Sequence, residues 1–440
     1  MHETTRADDD AARPTGSLEP AASPSSPSGA SDSATAVRAH GRAAFAFIFV
    51  TVALDMLALG IMVPVLPKLI IAFEGGAMAD AARMTGLFGF VWAAMQFVCA
   101  PMLGALSDRF GRRPVILLSN LGLGLDYLVM AIAPTLSWLF VGRVISGITA
   151  SSFPTAGAYV ADVTPPDERA AKFGMLGAAF GLGFIVGPAV GGLLGGIDLR
   201  LPFWVAAGLS LVNAAYGFFI LPESLPRERR APMRWRQANP VGSLTLLRSH
   251  RELLGIAAAA FLYYVAHEAM PSLFVLYTDY RYAWSEQQIG LALAVIGVCS
   301  TIVAALLVGP IVARLGERRA LFAGLALWAL GSVAFALAPT GLVFLVGIPL
   351  ASFGGLIGPA VQALTSRRVS GSEQGRLQGA LSSLRGIAMM IGPIVFTQAF
   401  ATGLRRGGRP LSGVAFLLAA ALLLASLAVA RRATRREHTA

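Results

Sequence analysis

Five ionisable residues of this chain stand inside stretches that are otherwise apolar. Asp55 lies in Leu54-Asp-Met-Leu-Ala-Leu-Gly-Ile-Met-Val-Pro64, Asp126 in Gly124-Leu-Asp-Tyr127, Arg143 in Gly142-Arg-Val-Ile-Ser-Gly147, and His267-Glu268 just before Met270-Pro271. A charge at bilayer depth costs roughly 2.5–3.5 kcal/mol even on a lenient scale, so such residues are kept for what they do. A carboxylate there can take up and release a proton, and an arginine, which stays charged, can hold a carboxylate ionised. Asp126 and Arg143 are related by counting: a turn near Pro134-Thr135 puts the first nine residues before it and the second eight after. At about 1.5 Å per residue both sit roughly 12–13 Å from that turn. They share a depth, and a pair between them is either structural or exchanges partners with protonation. Asp55, about halfway along its stretch, reads as a second reversibly protonated acid. Glu268, beside a helix-breaking proline, suits a cavity wall touching a polar or cationic substrate, or one facing a water-filled groove. Gln362 is a further candidate substrate contact, and Arg385, nearer one end of its stretch, reads as a snorkelling side chain.

Those residues need elements to hold them, and the composition says which. The chain has 440 residues, 55% hydrophobic and 13% charged, with a mean hydropathy of +0.67. Soluble domains are about one quarter charged, so this is an integral membrane protein. Twelve stretches approach the roughly 20 apolar residues of a span: 44–66, 84–106, 115–133, 137–159, 171–195, 203–221, 253–277, 288–311, 320–338, 342–363, 377–400 and 411–430. The domain plan that follows is a disordered cytoplasmic tail (1–40), a six-helix bundle (41–221), a cytoplasmic central loop (222–252), a second six-helix bundle (253–430) and a basic tail (431–440). Residues 1–40 lack the pattern of a signal peptide. With both ends inside, one side of the membrane has 24 Lys and Arg and the other seven, which predicts cytoplasmic termini. The net charge of +11 therefore reports topology and does not point to nucleic acid. Arginine outnumbers lysine 33 to 2, a matter of genome composition. Cys99 and Cys299 fall inside apolar stretches and form no disulfide framework. No nucleotide-binding loop, metal cluster or nucleophile arrangement is visible, so neither catalysis nor a cofactor is expected.

Between the second and third stretches lies Gly104-Ala-Leu-Ser-Asp-Arg-Phe-Gly-Arg-Arg-Pro114. Its glycines suit a tight turn, its arginines the lipid phosphates and its proline the start of a helix. Asp108, an acid in a basic loop, implies a specific partner. The halves also repeat at an offset of 205 residues, which links Gly104 to Gly309, Arg109 to Arg314, Gly111 to Gly316, Arg113 to Arg318, Gly142 to Gly347, Pro154 to Pro359 and Gly187-Pro188 to Gly392-Pro393. Repeated halves place a substrate site at their interface near mid-membrane. The copies have diverged: Asp108 becomes Ala313 and Arg143 becomes Ile348, so coupling chemistry is expected in the first half. The fifth stretch carries Gly181, Gly183, Gly187-Pro188, Gly191 and Gly192, a spacing that allows close approach of another helix.

Gly104-x-x-x-Asp108-Arg109-x-Gly111-Arg112-Arg113 resembles the signature between helices two and three of the major facilitator superfamily. The run from Gly183 through Gly187-Pro188 to Gly191-Gly192 resembles the fifth-helix motif of its drug:proton antiporters, and Arg143-x-x-x-Gly147 their fourth-helix motif. Leu54–Pro67, Ser107–Pro114 with Leu125-Asp-Tyr127, Gly142–Thr149, and Gly375–Gly379 through Gly392-Pro393 are similar to bacterial tetracycline efflux pumps, over roughly 44–430. The resemblance implies an all-α fold of twelve helices in two pseudo-symmetric six-helix bundles, monomeric and in the bacterial inner membrane. It implies export of a small amphipathic, drug-like compound against proton entry, with Asp55, Asp126 and Arg143 in proton coupling. It also implies that the 104–114 loop helps lock the outward-open form, with Asp108 and Arg112 at neighbouring helix ends and Asp162 partnering the loop arginines. Substrate would bind near helices one, four, seven and ten. Two positions depart from the pumps, which carry an acid in helix nine where this chain has Trp328 and a histidine in helix eight near Cys299-Ser300. The implied activity is therefore drug:proton antiport more broadly than tetracycline export. The rival readings are a proton symporter or uptake permease for a metabolite on the same fold, and a membrane sensor that has lost transport.

Overall fold

The computed structural model describes residues 28–150, 152–231, 242–249 and 251–435, and among them the regular structure is all helical. A helix, Ser28–Met62, begins inside the expected tail. Residues before 43 form a unit apart from the body, 43–440. Residues 1–27, part of the 222–252 loop and the end of the basic tail lie outside the described residues.

In the body, apolar length dictates the plan. The first helices are α1 (Ala44–Phe73), α2 (Met78–Phe110), α3 (Arg112–Ile132), α4 (Leu136–Val163), α5 (Arg169–Gly195), α6 (Leu201–Ile220) and α7 (Leu253–Tyr282). Next comes Glu286–Leu337, 52 residues in one helical run, about 78 Å if straight and so twice what one crossing needs. It is two crossings, because Gly316 has φ 74° and ψ 159° and breaks the helix into α8 (286–315) and α9 (317–337). The last three are α10 (Gly341–Ser366), α11 (Gly371–Gly407) and α12 (Arg409–Arg435). Among the described residues twelve crossings result, as the apolar runs predict. Several outlast those runs, α2 and α11 most, since the helical ladder continues into the polar ends.

The halves repeat in their irregularities as well as their residues. The turn between α2 and α3 is made at Gly111 and that between α8 and α9 at Gly316, both at positive φ, where only glycine sits without strain. In α1 the helix stops at Met62 and restarts at Leu66; in α7 it stops at His267 and restarts at Ala269. Pro271 explains the second break, having no N–H for the His267 carbonyl. In α4 the helix stops at Thr149 and restarts at Ser152, and α10 passes through a 3-10 turn, Phe353–Leu356. Among the described residues α8 alone contains a π-turn, Val303–Leu307.

Close-packed seams join the helices. Gly60 of α1 meets Gly183 and Gly187 of α5, where a Cβ on Gly60 would lie 2.9 Å from the Gly187 Cα. On another face of α5, a Cβ on Gly192 would lie 3.0 Å from the Gly290 Cα of α8. By the same repeat, a Cβ on Gly89 of α2 would lie 2.9 Å from the Pro393 Cβ of α11. The halves thus touch along α5–α8 and α2–α11. Apolar side chains fill each half separately, around Met130 and Phe203 in the first and Leu325 and Leu377 in the second. A further cluster, Phe274, Tyr277, Phe335, Phe344 and Phe416, takes in Ala82 of α2. Replacing Gly187 by Leu must force α1 and α5 apart. Overpacking of this kind costs about 3 kcal/mol, so Gly187→Leu is expected to lower the thermal unfolding temperature in detergent. Gly208→Leu, where a Cβ meets nothing within 4 Å, is expected to leave it nearly unchanged.

Candidate functional site

The first half has a polar interior built from four helices. Asp55 of α1 is buried (2% exposed) and Asn213 of α6 is fully so; Asn213 Nδ2 donates to Asp55 Oδ1 at 2.9 Å and to the Thr51 carbonyl at 2.9 Å. With its amide turned to satisfy its neighbours, Asn120 of α3 donates to both Asp55 carboxylate oxygens, at 3.1 and 2.9 Å, and accepts from Asn213 at 3.1 Å. Amides that can either donate or accept suit a carboxylate that changes its proton count. Asp126 of α3 is fully buried, and Arg143 of α4 pairs with it at 5% exposure, the partner that equal depth predicted. Gly142 makes room for that pair: a Cβ there would lie 2.6 Å from Asp126 Oδ1. Tyr127, the residue after Asp126, is buried too. Ser119 and Ser210 are buried on the same helices. All of these groups are on helices of the first half.

The second half lacks this interior. The positions 205 residues beyond Asp55, Asn120, Asp126, Arg143 and Asn213 hold Ala260, Leu325, Gly331, Ile348 and Leu418. The charged groups of the second half stand elsewhere. His267 and Glu268 are at the α7 break, 3.7 Å apart at His267 Nδ1 and Glu268 Oε1. The His267 ring meets Trp328 of α9 at 5.3 Å, and Glu268 lies against Gly392 of α11. Gln362 is not brought to them by its described hydrogen bonds, which run to Ser366 and Thr365 of its own helix.

The 104–114 loop is held within the first half. Arg112 pairs with Asp108 at 2.5 Å and with Asp162, at the end of α4, at 3.1 Å. Glu223, which the sequence did not single out, accepts from the Arg112 backbone N–H at 2.8 Å and caps α3. A Cβ on Gly111 would strike its carboxylate. Arg113 donates to the Phe218 carbonyl, and Arg109 stacks on the neighbouring Phe110 ring. At this end, the loop end, ion pairs such as Arg367–Glu317 and Arg112–Asp162 stay inside one half. A Cβ on Gly104, Gly174, Gly309 or Gly375 there would meet nothing within 4 Å. At the far end the halves are bolted together. Lys68 of α1 bonds Asp279 of α7, Glu286 of α8 at 3.4 Å and the Trp284 carbonyl at 3.1 Å, and Arg405 of α11 bonds Asp80 of α2 at 2.6 Å. Among the described residues, the ion pairs that join the halves stand at the far end.

The comparisons agree with this architecture. A family model described as Major Facilitator Superfamily matches residues 48–297 and 256–440. The chain is 41% identical over 384 residues to the tetracycline resistance protein, class C, of Escherichia coli, covering 87% of this chain and 95% of that protein. To the class G tetracycline resistance protein of Vibrio anguillarum it is 36% identical over 387 residues, with 87% and 95% covered. Among solved structures, the human organic anion transporter MFSD10 (TETRAN) superposes with a TM-score of 0.66 at 27% identity, over 89% of this chain and 99% of that one.

Removing Arg143 leaves Asp126 buried without its counter-charge, a loss of about 3–5 kcal/mol for a buried pair broken on one side. Arg143→Ala is therefore expected to lower the thermal unfolding temperature in detergent steeply, and Arg143→Ala with Asp126→Ala to recover much of the loss. A single variant as stable as the unmodified chain would contradict the pairing.

Proposed function

The chain belongs to the Major Facilitator Superfamily, and we propose that it exports a small, amphipathic, drug-like compound across the bacterial inner membrane in exchange for entering protons. It is a multi-pass transporter similar to tetracycline resistance proteins; coupling ion, substrate and direction are our reading. The observation that carries it is the enclosed pair of acids, Asp55 and Asp126, one held by two amides and the other by Arg143. Both are buried in the first half; protons and substrate occupy different places and communicate through helix movement. Arg143 is the counter-charge of the Asp126 carboxylate.

Alternating access then needs two states of the seam. The far end is closed by Lys68 with Asp279 and Glu286, and by Arg405 with Asp80. With both termini cytoplasmic, as the basic-residue count predicts, the loop end faces the cytoplasm and is where substrate enters. Opening outward breaks the far-end bolts while the loop end closes around Asp108, Arg112 and Asp162. A charged bolt that is partly exposed is weak enough to exchange in this way. Tetracycline is the first compound to try, and other amphipathic drugs follow it.

The test uses everted membrane vesicles with a respiration-driven pH gradient and a pH-sensitive dye. Addition of tetracycline or another compound from a broad panel is expected to release protons, and Asp55→Asn and Asp126→Asn to abolish the response. Accumulation of a compound in whole cells, with no vesicle response across the panel, would replace export by uptake.

A further inference from the structure

The basic stretch at the end of the sequence has no part in the transport cycle above, and the structure gives it a place. α12 runs into it as far as Arg435, so Arg431 stands on a helix at the loop end. Its guanidinium lies 5.6 Å from the centre of the Phe322 ring of α9, and that of Arg318, also on α9, lies 5.6 Å from the same centre. A ring face attracts a cation, but two cations held on one ring repel each other. Among the described residues neither arginine has a carboxylate partner; the acid beside Arg318, Glu317, pairs with Arg367. Arg318 Nε is buried and, among those residues, has no hydrogen-bond acceptor.

The repeat explains why Arg318 is left over. Its counterpart 205 residues earlier, Arg113, donates to the Phe218 carbonyl of α6. That carbonyl is open because residue 222, which would bond it in a helix, is a proline. The counterparts of Phe218 and Pro222 are Leu423 and Leu427. α12 continues through both, so the Leu423 carbonyl is taken by its own helix. Arg318 therefore lacks the acceptor that Arg113 has, and a second arginine stands at its side.

The neighbouring surface is apolar. α12 packs against α7, α9 and α11, all of the second half. Leu417, Leu424 and Arg431 follow one another at intervals of seven residues, two turns each, and so share one face of α12; all three are exposed. On α9, Arg319, Leu330 and Leu337 are spaced by eleven and seven residues, share a face in the same way and are exposed as well. Each helix thus shows the bilayer a stripe of leucines that ends in an arginine at the loop end. Acyl chains cover leucines, and a phosphate accepts from guanidinium groups.

We propose that Arg318 and Arg431, gathered on the Phe322 ring, hold the phosphate of an anionic phospholipid in the leaflet at the loop end. Arg319 stands at the edge of this site, and the acyl chains lie on the leucine stripes of α9 and α12. The anion removes the repulsion between the two guanidinium groups and ties the ends of α9 and α12 together. A zwitterionic lipid brings its own ammonium group and gains less from two arginines.

The test is native mass spectrometry of the full chain in a non-ionic detergent, titrated with dioleoylphosphatidylglycerol, which is anionic, or dioleoylphosphatidylcholine, which is zwitterionic. The first phosphatidylglycerol is expected to bind about thirtyfold more tightly than phosphatidylcholine, the worth of two arginines beside an anionic headgroup. Arg431→Gln, an exposed change near a helix end, is expected to cut that preference to about fivefold, and Arg318→Gln with Arg431→Gln to erase it. Arg227→Gln with Arg229→Gln, which removes the same charge from exposed positions beyond α6, is expected to keep it. Equal binding of the two lipids by the unmodified protein would overturn the site whether or not any variant folds. A preference that survives in the Arg318 and Arg431 double variant, or that falls equally in the Arg227 and Arg229 one, would overturn it too. Glycerophosphoglycerol, the headgroup without its chains, is expected to leave the bound lipid in place even in large excess; displacement would assign the two arginines to a soluble phosphate and not to the membrane.

Discussion

An ion in hydrocarbon must bring its own solvation, and the first half of this protein is organised around that requirement. Asp126 has Arg143, and Asp55 has the amides of Asn120 and Asn213. The residues that supply this solvation come from α1, α3, α4 and α6, so the interior exists only when all four helices are in register. Gly142 is part of the same arrangement, since any side chain there would displace the Asp126 carboxylate. A carboxylate held this way can gain or lose a proton only with a change in its partners. α1 is packed closely on α5 at Gly60 and Gly187, and α5 on α8 at Gly192 and Gly290.

Duplication followed by divergence accounts for the division of labour. Both halves break their first and fourth helices at matching places and turn at a matching glycine, Gly111 or Gly316. The second half has filled the equivalent interior with Ala260, Leu325, Gly331, Ile348 and Leu418. The first half therefore carries ions in its interior, and the far-end bolts around Lys68 and Arg405 tie the two halves together.

Much of this was legible in the sequence, and the reasons differ from residue to residue. Apolar run length marked the crossings, since hydrocarbon thickness leaves few alternatives. The Asp126–Arg143 pair followed from equal depth on two helices joined by a short turn. The partner of Asp162 followed from family resemblance and is Arg112. Asn120 and Asn213 were not found, because an amide in a span carries no charge to draw notice and its helical phase decides whether it meets Asp55. Lys68 and Asp279 are 211 residues apart, and only the way the halves dock brings them together. Glu223 sits in a stretch that reads as loop, and its capping of α3 depends on the turn at Gly111. Gln362 is a candidate substrate contact from sequence, and the hydrogen bond of its side-chain amide runs to Ser366 of its own helix.

The central claim is that protonation inside the first half decides which end of the bundle is closed. The most direct measurement is the distance across the loop end, by double electron–electron resonance between spin labels at Gly174→Cys and Gly309→Cys with Cys99 and Cys299 replaced by Ser. The account predicts two distance populations whose proportions change between mildly acidic and mildly alkaline conditions, and no such change once Asp55→Asn and Asp126→Asn are introduced. A pH-dependent shift of the same size in that variant would contradict it and place the controlling group elsewhere.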